Sequence, residues 1–410
     1  MPHEAALFDP WTRDYALLGL QLDRLIPGTV IAWLGPPSWR SASLAAPLPT
    51  PIALQEASEA LLDRLPGMGY GPVRAAYLTR QVIALGTVAR LAGGAALALT
   101  EQVGHLLDIH PERTPQALLA AAHAELDALL PGAGTLAERF DQWQRAGAIP
   151  VVHLRAILER VAAEVRARTR RHLPLPDGEG IKFLLGPDLP YSAYTRYLGR
   201  ARSRIEINTR VPIHAAQLID YLAHEAYPGH HTEHSMREVN QYRHHAQGEY
   251  AIQLSPTPAA LIWEAIATTA PNLIFGPEEG VAWLVADVLP AFNLPIEPAR
   301  DARIWAAKRV LDAAQGNAAL LLHEDNLPPD EVAAYLAHWL LLPPRAAAHF
   351  VGLLHDLPWR VYAFTYSHGP RLLAPLLAEA SPFAILHRIM TEPIYPALLA
   401  DLAPPTDAKR

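Results

Sequence analysis

The chain has 410 residues, half of them hydrophobic and 18% charged, a balance typical of soluble globular proteins that argues against long disorder and against a multi-span membrane protein. Its 34 basic and 41 acidic residues give a net charge of −7, so we expect neither nucleic acid nor a membrane surface as a partner. The chain has 19 histidines and no cysteine, which excludes disulfides, thiolate zinc sites and cysteine nucleophiles. Any transition metal must therefore be held by imidazole and carboxylate groups.

The first 175 residues have the pattern of helices separated by proline and glycine, which predicts a helical N-terminal subdomain over residues 1–175. One helix is expected to have Thr114 as its N-cap and Pro115 in its first turn, and to end at Leu130. Another helix places apolar residues on one face, namely Leu154, Ile157, Leu158, Val161 and Val165. The beginning of the chain lacks the basic start and apolar core of a signal peptide, so we expect a cytoplasmic protein.

Proline and glycine at 173–180 end this helical pattern, and two short runs rich in large or β-branched apolar residues follow at 181–185 and 204–208. We predict that these two runs are paired strands. Helices return from Pro212 onward. Interruptions of the later helices are expected at 255–258, 276–280, 327–329, 342–344 and 368–370. The prediction is a mainly α protein with one small β-sheet or hairpin, in which a second helical subdomain at 176–410 forms one compact unit with the first.

The most informative segment is His224–His231, with the sequence HEAYPGHH, inside a stretch of 32 residues that holds seven histidines. It begins like the zincin motif, in which two histidines four residues apart on a helix bind zinc and the glutamate beside the first acts as a general base. The position of the second histidine is taken by Pro228. The candidates for the second ligand are therefore His230 and His231.

Helix geometry bears on the choice between them. On a straight helix His231 returns to the face of His224 but rises about 10.5 Å, which is too far for two ligands of one zinc ion. On the same straight helix His230, six residues after His224, would point away from the face that carries His224. Pro228 has no N–H for the carbonyl of His224, and Gly229 tolerates unusual backbone angles, so we expect a two-residue bulge that makes six residues act like four. This favours His224 and His230 as ligands, with His231 as the alternative.

A zinc site needs a third protein ligand, and two downstream glutamates compete for this role. Glu264 interrupts an apolar helical run, where an ionised carboxylate is costly unless it binds a metal or pairs with a cation such as arginine. Glu249 has more polar neighbours and suits a hydrogen bond to a ligand histidine. We favour Glu264 as the ligand, with a buried ion pair of Glu264 or ligation by Glu249 as alternatives.

The chain also resembles a known family, the bacterial "domain of unknown function 885" proteins, which are grouped with gluzincin-type zinc metallopeptidases. The resemblance begins with the HEAYPGHH motif, because proline and glycine inside such a motif have little reason to arise from helix propensity. Further matching segments follow in the order typical of the family: 194–198, 203–209, 255–258 with Glu264, and 366–369.

The resemblance implies a zinc-dependent hydrolase with a large helical, metallopeptidase-like fold. It implies that His224, His230 and Glu264 hold Zn²⁺, and that Glu225 takes a proton from water and delivers it to the leaving amine. The family usually has glycine where this chain has Ala265, directly after the third ligand.

Further roles follow from the same resemblance. Tyr366 and His368 are the candidate catalytic donors of hydrogen bonds to an oxyanion, because they stand late in the chain as such donors do in gluzincin-like enzymes. The strand at 204–208 is expected to bind an extended peptide by strand addition, with Arg204 and Asn208 in contact with substrate.

We therefore expect a zinc metallopeptidase that acts on a peptide or small amide. The alternatives are a zinc amidohydrolase or esterase acting on a small non-peptide molecule, and a non-catalytic helical protein that binds metal. The sequence leaves open the substrate, the choice between exopeptidase and endopeptidase, the metal used in the cell and the oligomeric state.

Overall fold

Helices dominate the computed structural model, which describes residues 7–292, 294–379 and 381–402, and the predicted mainly α fold is confirmed. The helices of the N-terminal part are α1 (Pro10–Leu25), α2 (Pro37–Ala45), α3 (Pro51–Arg64), α4 (Pro72–Ala92), α5 (Leu99–Leu107), α6 (Gln116–Leu129), α7 (Leu136–Ala146) and α8 (Val151–Arg170). The helices that follow are α9 (Leu218–Glu225), α10 (His230–Arg237), α11 (Pro258–Thr269), α12 (Pro271–Ile274), α13 (Pro277–Trp283), α14 (Pro298–Leu311), α15 (Ala314–His323), α16 (Pro329–Leu340), α17 (Pro344–His355), α18 (Leu357–Tyr362), α19 (Thr365–Leu377), α20 (Pro382–Thr391) and α21 (Pro396–Leu402).

Many of these helices begin at a proline, whose fixed φ angle and missing N–H suit the first helical turn. Pro10, Pro72 and Pro258 are examples. The start of α1 is also capped, because the Asp9 carboxylate accepts a hydrogen bond of 2.9 Å from the backbone N–H of Thr12. The numerous prolines of the chain therefore begin helices as well as end them.

Two predicted helix boundaries are wrong. Helix α6 starts at Gln116 with Pro115 at the N-cap position, so Thr114 does not cap it. The backbone N–H of Thr114 instead donates to Asn317 Oδ1 of α15 at 2.8 Å. The interruption expected at 368–370 lies within α19, which continues through Pro370. Packing of α19 against α11 retains the helix despite the hydrogen bond that proline cannot donate.

The strands form two small sheets, from β1 (Val30–Trp33), β2 (Gly180–Gly186), β3 (Ala193–Gly199), β4 (Arg202–Asn208) and β5 (Ile252–Leu254). The predicted pairing of the runs at 181–185 and 204–208 is confirmed, since β2 pairs with β4 in parallel. Strand β3 was not predicted and pairs antiparallel with the other side of β4, which gives the order β2-β4-β3. The second sheet, which also was not predicted, pairs β1 with β5 antiparallel and joins the N-terminal part to the segment after the histidine motif.

Helix α11 lies between the two hydrophobic cores of the protein. Leu261 belongs to a core built largely from α1–α7 and α14–α18, whereas Ile262 and Ile266 belong to a core built from α8, the three-stranded sheet, α9 and the C-terminal helices. Because both faces of α11 are covered, its residues from Pro258 to Ala267 are buried, as expected for a helix that is apolar all round. Glu264 is the charged residue within this buried stretch.

Within the described ranges, no individual helix has the length and apolar character that crossing a membrane requires. A pair that passes by length and composition, Pro258–Ile274 with Glu278–Val288, is bent by 65°.

Candidate metal centre

The HEAYPGHH segment breaks one helix into two. Helix α9 ends at Glu225 and α10 begins at His230, with a cis peptide bond between Tyr227 and Pro228. The N–H of Gly229 donates to the carbonyl of Ala223 at 2.9 Å. This hydrogen bond joins residues six positions apart, whereas those of a regular α-helix join residues four positions apart. The predicted bulge within a single helix is wrong in form, because the α-helical ladder stops and restarts.

Gly229 is required by close packing at this break. A Cβ atom at position 229 would lie 1.9 Å from the carbonyl oxygen of His224 and 2.4 Å from that of Ala223, far inside van der Waals contact. The break turns α10 so that the rings of His224 and His230 meet edge to face with centroids 4.8 Å apart. The six-residue spacing therefore does bring these two histidines together.

His224, His230 and Glu264 form a compact group in which one possible ligand atom from each residue lies within 4.8 Å of the others. His230 Nε2 is 3.2 Å from Glu264 Oε1, and His224 Nε2 is 3.7 Å from Glu264 Oε2. Two imidazoles and a carboxylate are the donor set of many catalytic zinc sites. We call these three residues the ligand cluster.

The charges in the ligand cluster suit a cation. Burial alone would raise the pKa of Glu264, but His230, His224 and a hydrogen bond from Tyr362 outweigh burial and lower that pKa to about 2. Burial lowers the pKa of His224, aided by neighbouring His230. For His230 the effect of burial is outweighed by Glu264 and Glu225, which raise its pKa to about 9. A divalent cation would take the place of the proton that these carboxylates hold on His230.

Glu225 is buried beside the ligand cluster. It directly follows His224 at the end of α9, and its negative charge contributes to the raised pKa values of His230 and Tyr366. The hydroxyl of Thr195, on β3, contacts both the backbone carbonyl and the carboxylate Oε2 of Glu225. Sequence reasoning missed Thr195, since nothing local distinguishes a threonine in a short strand.

Two tyrosines from the C-terminal part of the chain lie near Glu264. The hydroxyl of Tyr362 donates to Glu264 Oε1 at 2.5 Å, and the ring of Tyr366 packs edge-on against Tyr362 with centroids 5.9 Å apart. Burial and the charge of Glu264 raise the pKa of both phenols, so each remains a hydrogen-bond donor at neutral pH. Tyr366 was predicted from the sequence and Tyr362 was not, although their spacing of four residues is a signal that could have found it.

His368 does not fit the predicted role of oxyanion donor. Its Nε2 accepts a hydrogen bond of 3.0 Å from the backbone N–H of Glu112, so the ring proton is on Nδ1, which donates to Ser367 Oγ at 2.8 Å. Burial lowers the pKa of His368 to about 4, which keeps the ring neutral. Both nitrogens are occupied by residues outside the ligand cluster, and the prediction for His368 is therefore wrong.

Gly369 has a packing role instead. A Cβ atom on it would lie 3.0 Å from the Cα atom of Ala265 on α11, so the backbones of α11 and α19 approach closely here. Gly369 of α19 permits this close approach, so position 265 of α11 can hold alanine in place of glycine.

The predicted peptide-binding strand is also wrong. Strand β4 is the central strand of its sheet, so its backbone groups are already paired with β2 and β3, and no peptide can be added along it. Arg204 forms an ion pair with the buried Glu206, and Asn208 uses its side chain to bond the carbonyl of Leu189 and the N–H of Arg210. Both residues have structural roles in this sheet.

The two alternative ligands lie elsewhere. His231 is fully buried, with Nδ1 at 2.8 Å from Ser203 Oγ and Nε2 at 3.1 Å from Glu179 Oε2. Glu249 forms a two-point ion pair with Arg74, with both N–O distances 2.7 Å. Neither residue joins the ligand cluster, and Glu249 does not bond a ligand histidine.

Two cavities adjoin Tyr366. One, of about 410 Å³, extends toward Asp220 of α9, and the other, of about 330 Å³, lies against Tyr362 and Trp359. Tyr366 thus lines two spaces that are each large enough for a molecule larger than water.

No family model and no curated protein matches this chain. Among solved structures, one similar chain is described as the "putative lipoprotein" from Colwellia psychrerythraea; it is 13% identical, and the match covers 86% of this chain and 70% of that chain with a TM-score of 0.52. At this identity the similarity shows the fold alone.

Proposed function

We propose that this protein is a zinc-dependent hydrolase that acts as a metallopeptidase on a peptide or small amide. The observation that carries the proposal is the cluster of His224, His230 and Glu264, with the buried carboxylate of Glu225 next to His224 along the chain. A carboxylate next to two imidazoles and a further carboxylate is the arrangement that metal-assisted hydrolysis needs. The resemblance of HEAYPGHH to gluzincin-type proteins supports the same chemistry, and membership of that family stays a proposal.

The ligand cluster fits zinc by its donor chemistry. His224 and His230 offer nitrogen and Glu264 offers oxygen, which leaves a fourth position for water or substrate. Glu264 Oε2 is buried and has no hydrogen-bond partner among the described residues, a costly state that a bound cation would relieve. When bound there, zinc supplies Lewis acidity and lowers the pKa of water toward about 7.

The side chains around the ligand cluster supply the proton transfers and the positioning. Glu225 accepts a proton from the attacking water and passes it to the leaving nitrogen, while Thr195 holds the carboxylate in place. The phenol of Tyr366 donates a hydrogen bond to the developing oxyanion. Tyr362 fixes the orientation of Glu264 through its hydrogen bond. A cytoplasmic location stays a prediction.

The test combines metal content with hydrolysis of a peptide panel and of small amides and esters. We expect about one zinc per chain in the wild type and in Glu225→Gln, and a loss of about 10²- to 10⁴-fold in kcat for the variant. The matched control is Glu324→Gln, because Glu324 also follows a histidine but accepts a hydrogen bond from the N–H of Thr100 outside the ligand cluster.

The outcomes separate the candidate functions. Hydrolysis confined to the small amides or esters would replace the peptidase with an amidohydrolase or esterase. Zinc binding without hydrolysis of any substrate, or full activity in Glu225→Gln, would overturn the proposed mechanism.

A further inference from the structure

The cavity of about 410 Å³ lies along the elements that carry the ligand cluster. Its wall includes Asp220, which stands one helical turn before His224 on the same face of α9, and Tyr366 of α19. Ile219, Phe275 and Val281 give this wall an apolar area. The volume is within the range of about 300–1,000 Å³ typical of small-molecule sites and is too small for a long peptide.

One of the two arginines of the cavity, Arg309, is held by short hydrogen bonds to other residues. Arg309 donates to Asp220 Oδ1 and to the carbonyl of Thr268, both at 2.9 Å. Trp305 donates to the other oxygen of Asp220 at 3.0 Å. Both oxygens of Asp220 are bonded and Arg309 already pairs with this carboxylate, so Arg309 is a weaker candidate than Arg371 for binding a ligand carboxylate.

The other arginine is loosely held. Arg371 has 39% of its side chain exposed, and its hydrogen bonds are long, 3.3 Å to Glu112 Oε2 and 3.4 Å to Thr114 Oγ1. Glu112 is itself 69% exposed, and such surface pairs contribute little. A carboxylate entering the cavity can replace Glu112 and form a two-point hydrogen bond with the guanidinium group.

The spacing of Arg371 from Tyr366 sets a length for the ligand. The two residues are five apart on α19, which is a rise of about 7.5 Å. An extended peptide advances about 3.5 Å per residue, so this rise corresponds to about two residues. A ligand whose reacting carbonyl is at Tyr366 thus reaches Arg371 with a carboxylate one or two residues further on.

We propose that this cavity binds the C-terminal end of a short peptide, with an apolar side chain against Ile219 and Phe275 and the free α-carboxylate on Arg371. The proposal rests on the proposed function and makes the protein a carboxypeptidase-type enzyme. Water is added across the amide, so the C–N bond breaks, the carbonyl carbon gains the water oxygen and the leaving nitrogen gains a proton.

The first test compares an acylated dipeptide that ends in leucine with its C-terminal amide. We expect the wild type to prefer the free acid by about ten- to hundredfold in kcat/KM, through KM, because the carboxylate forms a charge-assisted hydrogen bond. Arg371→Gln should lose this preference and Arg371→Lys should restore part of it. Arg303→Gln is the matched control, since Arg303 on α14 is 62% exposed and paired with Glu125 away from this cavity.

A second variant tests the apolar wall without removing a charge. Ala306 lines the cavity and is exposed, so Ala306→Trp fills the cavity without crowding the core. We expect this variant to favour C-terminal alanine over leucine, the reverse of the wild type. An unchanged side-chain preference would overturn the assignment of the cavity.

Binding to the metal-free protein separates this proposal from the proposed function. Calorimetry with acetyl-leucine and with its amide should show binding of the acid in the wild type and its loss in Arg371→Gln. If the protein binds the acid and not the amide but hydrolyses no substrate, the proposed enzymatic function is wrong and the proposed cavity site stands. Hydrolysis with equal use of acid and amide, or a preference retained in Arg371→Gln, would overturn the cavity site alone.

Discussion

The hydroxyl of Thr195 lies between two oxygens of one residue, the backbone carbonyl of Glu225 at 2.7 Å and its carboxylate Oε2. A hydroxyl carries one proton, so it can donate to the carboxylate when Glu225 is ionised. When Glu225 is protonated, the hydroxyl can accept from the carboxyl group and donate to the carbonyl. Thr195 is therefore placed to hold Glu225 in both of its protonation states.

We predict that Thr195→Val lowers kcat by about tenfold or more with little change in KM, because the base loses its orientation while substrate contacts stay intact. Thr195→Ser keeps the hydroxyl and should recover most of the activity. Steady-state kinetics on the best peptide of the panel measure this effect, and equal losses in the valine and serine variants would contradict a role of the hydroxyl.

We predict that His230 is needed for zinc binding and that His231 is needed for stability. His230→Ala should lose bound zinc, because it removes a member of the ligand cluster. His231→Ala should retain zinc but lower the free energy of unfolding, because it removes the buried hydrogen bonds that His231 forms with Glu179 and Ser203. Metal analysis and urea unfolding of both variants make the comparison, and equal zinc retention in the two would contradict it.

The break between α9 and α10 should depend on a glycine. We predict that Gly229→Ala loses zinc binding, because its Cβ atom would lie 1.9 Å from the carbonyl oxygen of His224. Gly352→Ala is the matched control: Gly352 lies within α17 with nothing within 4 Å of an added Cβ, so this change should stabilise the protein by about 0.5–1 kcal/mol. Zinc content and the unfolding midpoint report the two results, and a Gly229→Ala protein with full zinc would refute the steric argument.

Glu179, whose carboxylate is hydrogen-bonded to His231, should make the stability of the protein depend on pH. Burial alone would raise the pKa of Glu179, but hydrogen bonds with His231, Tyr227 and Arg166 outweigh it and lower the pKa from 4.5 to about 2. As the pH falls, Glu179 is therefore protonated in the unfolded chain at a higher pH than in the folded protein. The stabilisation by Glu179 is complete above about pH 4.5 and is lost as the pH falls toward about 2.

We predict that Glu179→Gln lowers the free energy of unfolding by about 3 kcal/mol at neutral pH and that the difference from wild type shrinks below about pH 4. The control is Glu159→Gln, because Glu159 is 60% exposed and its ion pair with Arg155 contributes little. Urea unfolding at several pH values measures the effect, and a difference independent of pH would show that Glu179 acts by packing alone.

Several features of the protein were determined by local sequence. Helical class followed from apolar periodicity, and proline with glycine after Glu225 signalled a departure from a regular helix at that point. Glu264 was conspicuous because a charged residue in an apolar run must be buried with a partner. Each of these signals acts within a few residues along the chain, where helix geometry alone relates side chains to one another.

Tertiary structure decided which partners these residues meet. His231 is held by Ser203 and Glu179, Glu249 is paired with Arg74 across 175 residues, and Glu225 is held by Thr195 of a strand that the sequence did not predict. Strand order placed β4 in the centre of its sheet and so removed it as a peptide site. Such contacts depend on how distant elements pack around α11, and spacing along the chain carries no record of that packing.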